Sequence, residues 1–384
     1  MMQKSDETIY NLKRDGNIHQ LIWIIEKKHV PLQAFSKKAK MKNIYTLLLL
    51  IAFSANVSAQ VQTAEASSAD SLINVIAYFC KNDTMDFRVE ELKQKIHGND
   101  TTLNRYIRED FRLIVRDSTS NGYKLEYSSL GNREMEGDEI DFLNKTVLEK
   151  VAELSDKQHV IFTIDELGNL QHIENWRDIK KTMHEGIKIL CDSLYANNPM
   201  LDSVMPRNRL EMSLNMQYST EQSLWSAYEE LQLLFAIHGN SFTIGRHETK
   251  DDSGYPSVTN TVVSYGSYDE EDEIEGDYYI AGKTTQTIPA EDVATLVTGQ
   301  LSGLFSDEAV KKMKEANVAS IVEDAQLTTL EAYFLFFNGW PCDMSKQTVV
   351  KMNGYEYITT KHIEWLSRRW QIADSNETEQ GKIL

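Results

Sequence analysis

Two alternating runs joined by Asn-Gly constrain this chain more than any other feature. Phe111, Leu113 and Val115 alternate with Arg112, Ile114 and Arg116. Beyond Asn121-Gly122 the alternation resumes, with Tyr123, Leu125 and Tyr127 against Lys124 and Glu126. A period of two on both sides of Asn-Gly predicts an antiparallel hairpin with one face turned to a core. Other segments extend the pattern. Met85, Phe87 and Val89 alternate within 84–96, although EELKQK in the same stretch suits a helix equally well, and Val75–Cys80 is a short apolar run rich in strand formers. His159–Ile164 pairs through Glu166–Asn169 with Leu170–Ile173. Later come Phe242 with Ile244, then Val258–Tyr268, Tyr278–Thr287, Val318–Val322, Ala325–Phe337, Thr348–Met352 and Tyr355–Thr360.

Helical periods lie between these strands. Ile140, Phe142, Val147, Val151 and Leu154 recur at three- and four-residue steps and predict a helix over 138–154. A second is expected over 176–195, ended by Asn198-Pro199, and a third over 220–238 after a Met-rich stretch at 205–216. Pro289 suits a first helical turn, and Ser306 suits the cap of a helix at 307–316. Hairpins dominate and no βαβ alternation runs through the chain. The expected class is α+β: a large antiparallel, curved β-sheet with helices packed on one side. The halves 72–238 and 239–370 share a loose order of elements, which fits a two-half duplication.

The N-terminal region points to export. Lys42 leads into an apolar run, Ile44–Phe53, followed by small residues with Val57 and Ala59 at the −3 and −1 positions of a signal-peptidase site. Cleavage between Ala59 and Gln60 is expected, so 41–59 reads as a signal peptide, 60–71 as a disordered lead-in and 371–384 as a loose tail. Residues 1–40 read as an extension from a start assigned too early, with Met41 the natural start. The alternative, a membrane anchor at Leu47–Phe53, needs roughly twenty apolar residues, about twice what is present. The expected location is periplasmic, secreted or at the cell surface, with no stable membrane span in the mature chain.

From Gln60 onward the chain carries 31 Lys and Arg against 54 Asp and Glu, a net charge near −23. Such a chain is repelled by nucleic acid, and its basic residues form no aromatic-interleaved patch. Cys80, Cys191 and Cys342 are an odd number at wide spacing, which reads as three buried free thiols.

No reaction motif is complete. His184-Glu185 begins a helical zinc motif, but Lys188 stands where the second His belongs. His172-Ile173-Glu174 with Pro341-Cys342 fails the zinc-deaminase pattern at Ser345. Gly239–Thr243 lacks the last glycine of a nucleophile elbow. No catalytic residue and no cofactor is assigned. The acidic run Asp269–Glu273 offers Asp269, Glu271, Asp272 and Glu273 as weak calcium ligands without the spacing of an EF-hand, or else a solvated hairpin tip. Tyr265, Tyr278, Phe336 and Trp340 are the aromatic ligand-binding candidates; they read either as core or as the lining of an apolar groove between sheet and helices.

The signal ending Ser58-Ala59-Gln60, the acidic mature chain and the phrase Phe337-Asn338-Gly339-Trp340-Pro341 resemble secreted or periplasmic Bacteroidota proteins of uncharacterised families. Those have strand–turn–strand hairpins near the C-terminus, preceded by hairpins such as Ile164–Leu170. The resemblance spans 72–365 loosely. It implies an envelope α+β domain of unknown function and brings across no catalytic residue. The leading expectation is an exported, non-enzymatic binding or envelope-associated protein, whose partner is an apolar small molecule, a lipid or an envelope protein. The alternatives are an envelope or glycan hydrolase using an unrecognised carboxylate pair, and a structural or adhesive surface protein.

Overall fold

The computed structural model describes residues 72–266, 276–315 and 323–370. The signal segment with Ala59 and Gln60, the acidic ligand candidates Asp269, Glu271, Asp272 and Glu273, and the strand expected at Val318–Val322 all lie outside the described residues.

Eleven strands build the main sheet: β2 (Thr84–His97), β3 (Asp100–Thr119), β4 (Gly122–Glu136), β5 (Val160–Ile164), β6 (Leu170–Ile173), β8 (Gly245–Asp251), β9 (Ser257–Tyr265), β10 (Tyr278–Ile288), β11 (Ala325–Leu335), β12 (Pro341–Met352) and β13 (Tyr355–Arg369). Two short strands, β1 (Leu72–Asn74) and β7 (Ser241–Thr243), pair separately. The main order is β6-β5-β4-β3-β2-β13-β12-β11-β10-β9-β8, antiparallel at every pairing, and the sheet stays open. It is two runs of sequentially neighbouring strands, joined by hairpins except where helices connect β4 to β5 and β10 to β11. They meet at one long-range seam, where β13 runs against β2 from Tyr355↔His97 to Arg369↔Thr84.

Turn chemistry fixes the hairpins. Asn353 and Gly354, with φ of 51° and 73°, link β12 to β13 in the left-handed conformation that a two-residue hairpin loop requires. The predicted 111–127 hairpin forms, but Thr119 pairs with Gly122, so the turn is Ser120-Asn121 rather than Asn121-Gly122. Gly122 is needed for another reason: at φ +130°, a Cβ there would lie 2.2 Å from the Ile164 carbonyl oxygen on β5.

Val75–Cys80, expected as a strand, joins no ladder. Its side chains alternate in burial, with Val75, Ala77 and Phe79 inside. Its backbone bonds are spread over the Asn240, Leu167 and Asn338 carbonyls, so no single neighbour can pair with it.

The helices are α1 (Asp138–Leu143), α2 (Lys145–Asp156), α3 (Trp176–Asn197), α4 (Leu201–Val204), α5 (Arg207–Gln217), α6 (Glu221–Leu224), α7 (Glu229–Phe235), α8 (Ala290–Leu304) and α9 (Asp307–Glu315). The single helix expected over 138–154 is two. Asn144 sits at φ 71° between them and its Oδ1 accepts from the Thr146 N–H, starting α2 afresh. The helix expected over 220–238 is also broken, into α6, a 3₁₀ turn at Trp225–Ala227, and α7. Tyr228, at φ −126°, interrupts it. The break lets Trp225, Tyr228 and Phe235 all reach the sheet: Trp225 and Phe235 each lie 6.0 Å from Phe162, and Tyr228 lies 5.7 Å from Tyr127. The Met-rich stretch expected only as a lead-in forms α5.

Phe87, Phe111, Leu113, Leu125 and Phe162 are fully buried at this end. At the other end, Val293 of α8 packs with Ile288, Ala325, Leu327, Val350 and Met352. Each of these side chains larger than alanine contributes roughly 1.5–3 kcal/mol by leaving water.

Candidate functional site

The four aromatic candidates do not converge. Trp340 is fully buried and stacks on Phe79 at 4.1 Å, so it is core. Tyr278 is buried too, whereas Tyr265 is half exposed; each lies about 6 Å from Phe337, whose ring is 63% exposed. The adjacent Phe336 is buried and meets Trp365 and Trp370 instead. Cys80, Cys191 and Cys342 are thiols, with Cys191 and Cys342 buried. Cys80 is only partly buried, which corrects the expectation of three buried thiols. Among the described residues, no group of His, Cys, Asp and Glu side chains could hold a metal ion, and no helix is long and apolar enough to cross a membrane.

The densest titratable chemistry is a network on β2, β3 and β13 that the sequence did not suggest. Glu91 on β2 is opposite Lys361 on β13, and Lys93 is opposite Arg105 on β3. Glu91 accepts from Arg105 and lies 3.5 Å from the Lys93 ammonium and 3.6 Å from that of Lys361. Lys361 donates to Glu229 of α7 at 2.7 Å, and Arg105 reaches Glu139 of α1 at 3.8 Å. Burial opposes ionisation of Glu91, but Arg105, Lys361 and Lys93 together hold its carboxyl well below the usual range. Its neighbour Glu230 goes the other way. Burial pushes it up to about 7 against the pull of Lys361, and the nearby Glu109 carboxylate adds to the shift.

Two carboxylates with divergent acidities are the signature of an acid–base pair. Here Glu91 is engaged by three cations and has no freedom to act as nucleophile or base. The network fastens α1 and α7 to the sheet.

A second constellation lies across β12 and β13. Ser345 is opposite His362, and His362 Nε2 is 2.8 Å from Asp343 Oδ2. The residue types match a nucleophile, base and orienting carboxylate. The protonation state does not. Burial disfavours the imidazolium, but the hydrogen bond and charge of Asp343, with Glu364 and Glu90 adding, raise His362 to about 9. At neutral pH the ring is already protonated and cannot take a proton from Ser345.

The surface offers a different feature. Met200 (84% exposed), Val204, Met212, Met216 and Leu296 are large apolar side chains left in water on α4, α5, α8 and the residue before α4. Met212 and Met216 are one turn apart on α5, which has no fully buried residue. The α4 end is tied to α9 by bonds from Ser306 to the Val204 and Ser203 carbonyls. Arg209 of α5 donates to the Phe305 carbonyl and pairs with Asp307.

No family model matches the chain, and no curated protein matches it. Among solved structures, similarity is found to lipovitellin, described for its lipid–protein interactions, at 8% identity and a TM-score of 0.32. The match covers 77% of this chain and 26% of that one, so the chain spans about a quarter of lipovitellin's length. DynF from the dynemicin pathway of Micromonospora chersina matches at 7% identity, TM-score 0.17, covering 83% of this chain and 95% of its own. The COG4313 outer membrane channel of Pseudomonas putida F1 matches at 5% identity, TM-score 0.12, over 79% and 100%. At these scores none bears on fold or function.

Proposed function

We propose that this is an exported, non-enzymatic binding protein of the envelope. In this reading a curved sheet with its helices on one face presents the exposed side chains of α4, α5 and α8 to an apolar partner: a small molecule, a lipid or an apolar protein segment. The observation that supports it is the set Met200, Val204, Met212, Met216 and Leu296. The helix carrying Met212 and Met216 packs against the one carrying Leu296; contiguous apolar side chains in water mark interaction surfaces, and methionine is the residue that adapts to varied apolar shapes.

Native mass spectrometry of the protein from its source cells, before and after organic extraction, tests the small-molecule form. An excess mass removed by extraction supports it. In parallel, Met212→Glu with Met216→Glu should abolish uptake of an apolar fluorescent probe without lowering thermal stability, because both side chains are exposed. Unchanged probe binding in that variant would sink the proposal.

A further inference from the structure

Phe336, Trp365 and Trp370 form a three-sided aromatic box around a cation. The Phe336 ring is 6.3 Å from Trp365 with planes at 75°, and 5.1 Å from Trp370 with planes at 81°. The guanidinium carbon of Arg368 lies 4.4 Å from the centre of Phe336, 4.5 Å from Trp370 and 5.0 Å from Trp365. Phe336 is buried, the tryptophans are half-buried and Arg368 is exposed. The box is therefore closed on its inner side and capped from solvent by the guanidinium.

The local sequence explains the convergence. Residues three apart on a regular strand point to opposite faces. Trp365 and Arg368 nevertheless meet the same ring, because the β13–β2 register shifts between Trp365 and Ser367. Ser367 Oγ donates to Asp86 at the shift, and the Trp370 indole N–H points at the Met85 sulfur at 3.3 Å. Phe336 is fixed by its backbone N–H, which donates to the Trp340 carbonyl across the turn.

We propose that this box binds a quaternary or methylated ammonium group, and that Arg368 is its resident occupant, displaced when the ligand enters. Rings at steep angles present their negative faces to one point. That suits a compact, weakly hydrated, methyl-coated cation better than a planar guanidinium, which stacks on a single face. The acidic chain adds a long-range attraction for cations. The site is separate from the methionine face and stands whether or not that face binds a partner.

The probe is tetramethylammonium, titrated into the full chain and followed by ligand-observed NMR, with sodium chloride at matched ionic strength as baseline. Arg368→Ala should bind it at least about fivefold more tightly than the unaltered protein, since contacts to three rings are released from competition and one exposed cation–π contact alone is worth up to about fivefold. Arg368→Ala combined with Trp370→Ala should lose that binding, and ammonium chloride should not displace the probe. A circular-dichroism melt of each variant verifies that the fold is kept. Equal affinity with and without Arg368, binding that survives loss of Trp370, or no binding by Arg368→Ala each overturns the proposal.

Discussion

Glu230 makes the sharpest stability prediction. It sits in the first turn of α7, half-buried, near the Tyr127 hydroxyl, Glu109 on β3 and Lys361 on β13. Its carboxyl rises from 4.5 to about 7, with burial the chief cause. The folded protein therefore holds this proton more tightly than the unfolded chain does. Its contribution to stability is intact below pH 4.5, declines between 4.5 and 7, and is gone above 7. A shift of that size corresponds to roughly 3 kcal/mol. Water still reaches part of the side chain, so about 1.5–3 kcal/mol is the expected range. Glu230→Gln keeps the shape and removes the titration. Relative to the unaltered protein, the variant should gain about 1.5–3 kcal/mol on going from pH 5 to pH 8. Urea unfolding of both proteins at pH 5, 6, 7 and 8 measures this, provided the transitions are cooperative. The carboxyls held low, such as Glu91 and Asp86, titrate below this window, and His362 titrates identically in both proteins, so neither enters the difference. Parallel stability curves for the two proteins would refute the reasoning.

Three further outcomes are expected. His362→Gln should destabilise the protein most below pH 6.5, and the deficit should fade as pH rises through 9, because the raised folded-state pKa stabilises only while the ring is protonated. With a third of the side chain exposed, about 1–2 kcal/mol is expected at pH 6 and little at pH 10, read from chemical denaturation at each pH. Trp340→Ala should cost about 3–5 kcal/mol by leaving a cavity against Phe79, and a loss below ~1 kcal/mol would contradict a core role. Gly122→Ala should destabilise by more than ~1 kcal/mol, since its Cβ would meet the Ile164 carbonyl at a positive φ; a thermal melt matching the unaltered protein would show that β5 yields easily.

The sheet was legible wherever one face is apolar. The alternation of Phe111–Val115 with Tyr123–Tyr127 marks strands that turn Phe111, Leu113 and Leu125 inward, and the register places them as expected. The pattern fades where strands outrun their apolar face. β2 continues past Val89 as Glu91 and Lys93, which keep the parity of Phe87 but carry charge, so EELKQK suited a helix equally well. The parity itself was the available signal: charged residues in the inward positions of a strand need partners, and Arg105 and Lys361 supply them from the flanking strands. Helix breaks at Asn144 and Tyr228 were not legible, because each depends on contacts across the chain that a local period does not encode.

The seam carries the same logic to the aromatic box. The two runs of strands become one sheet through β2 and β13, which lie far apart in sequence, and no local pattern announces their pairing. Glu91–Lys361 at mid-seam and the shift between Trp365 and Ser367 near its end are both products of that pairing. Of the box, only Phe336 stands in an aromatic-rich stretch that local sequence marks; Trp365, Arg368 and Trp370 reach it only once β13 is in register and then displaced by the shift. A change that restored regular pairing there would turn Trp365 and Arg368 to opposite faces and dismantle the box while leaving the sheet standing. The box is thus a consequence of one irregularity in an otherwise regular seam.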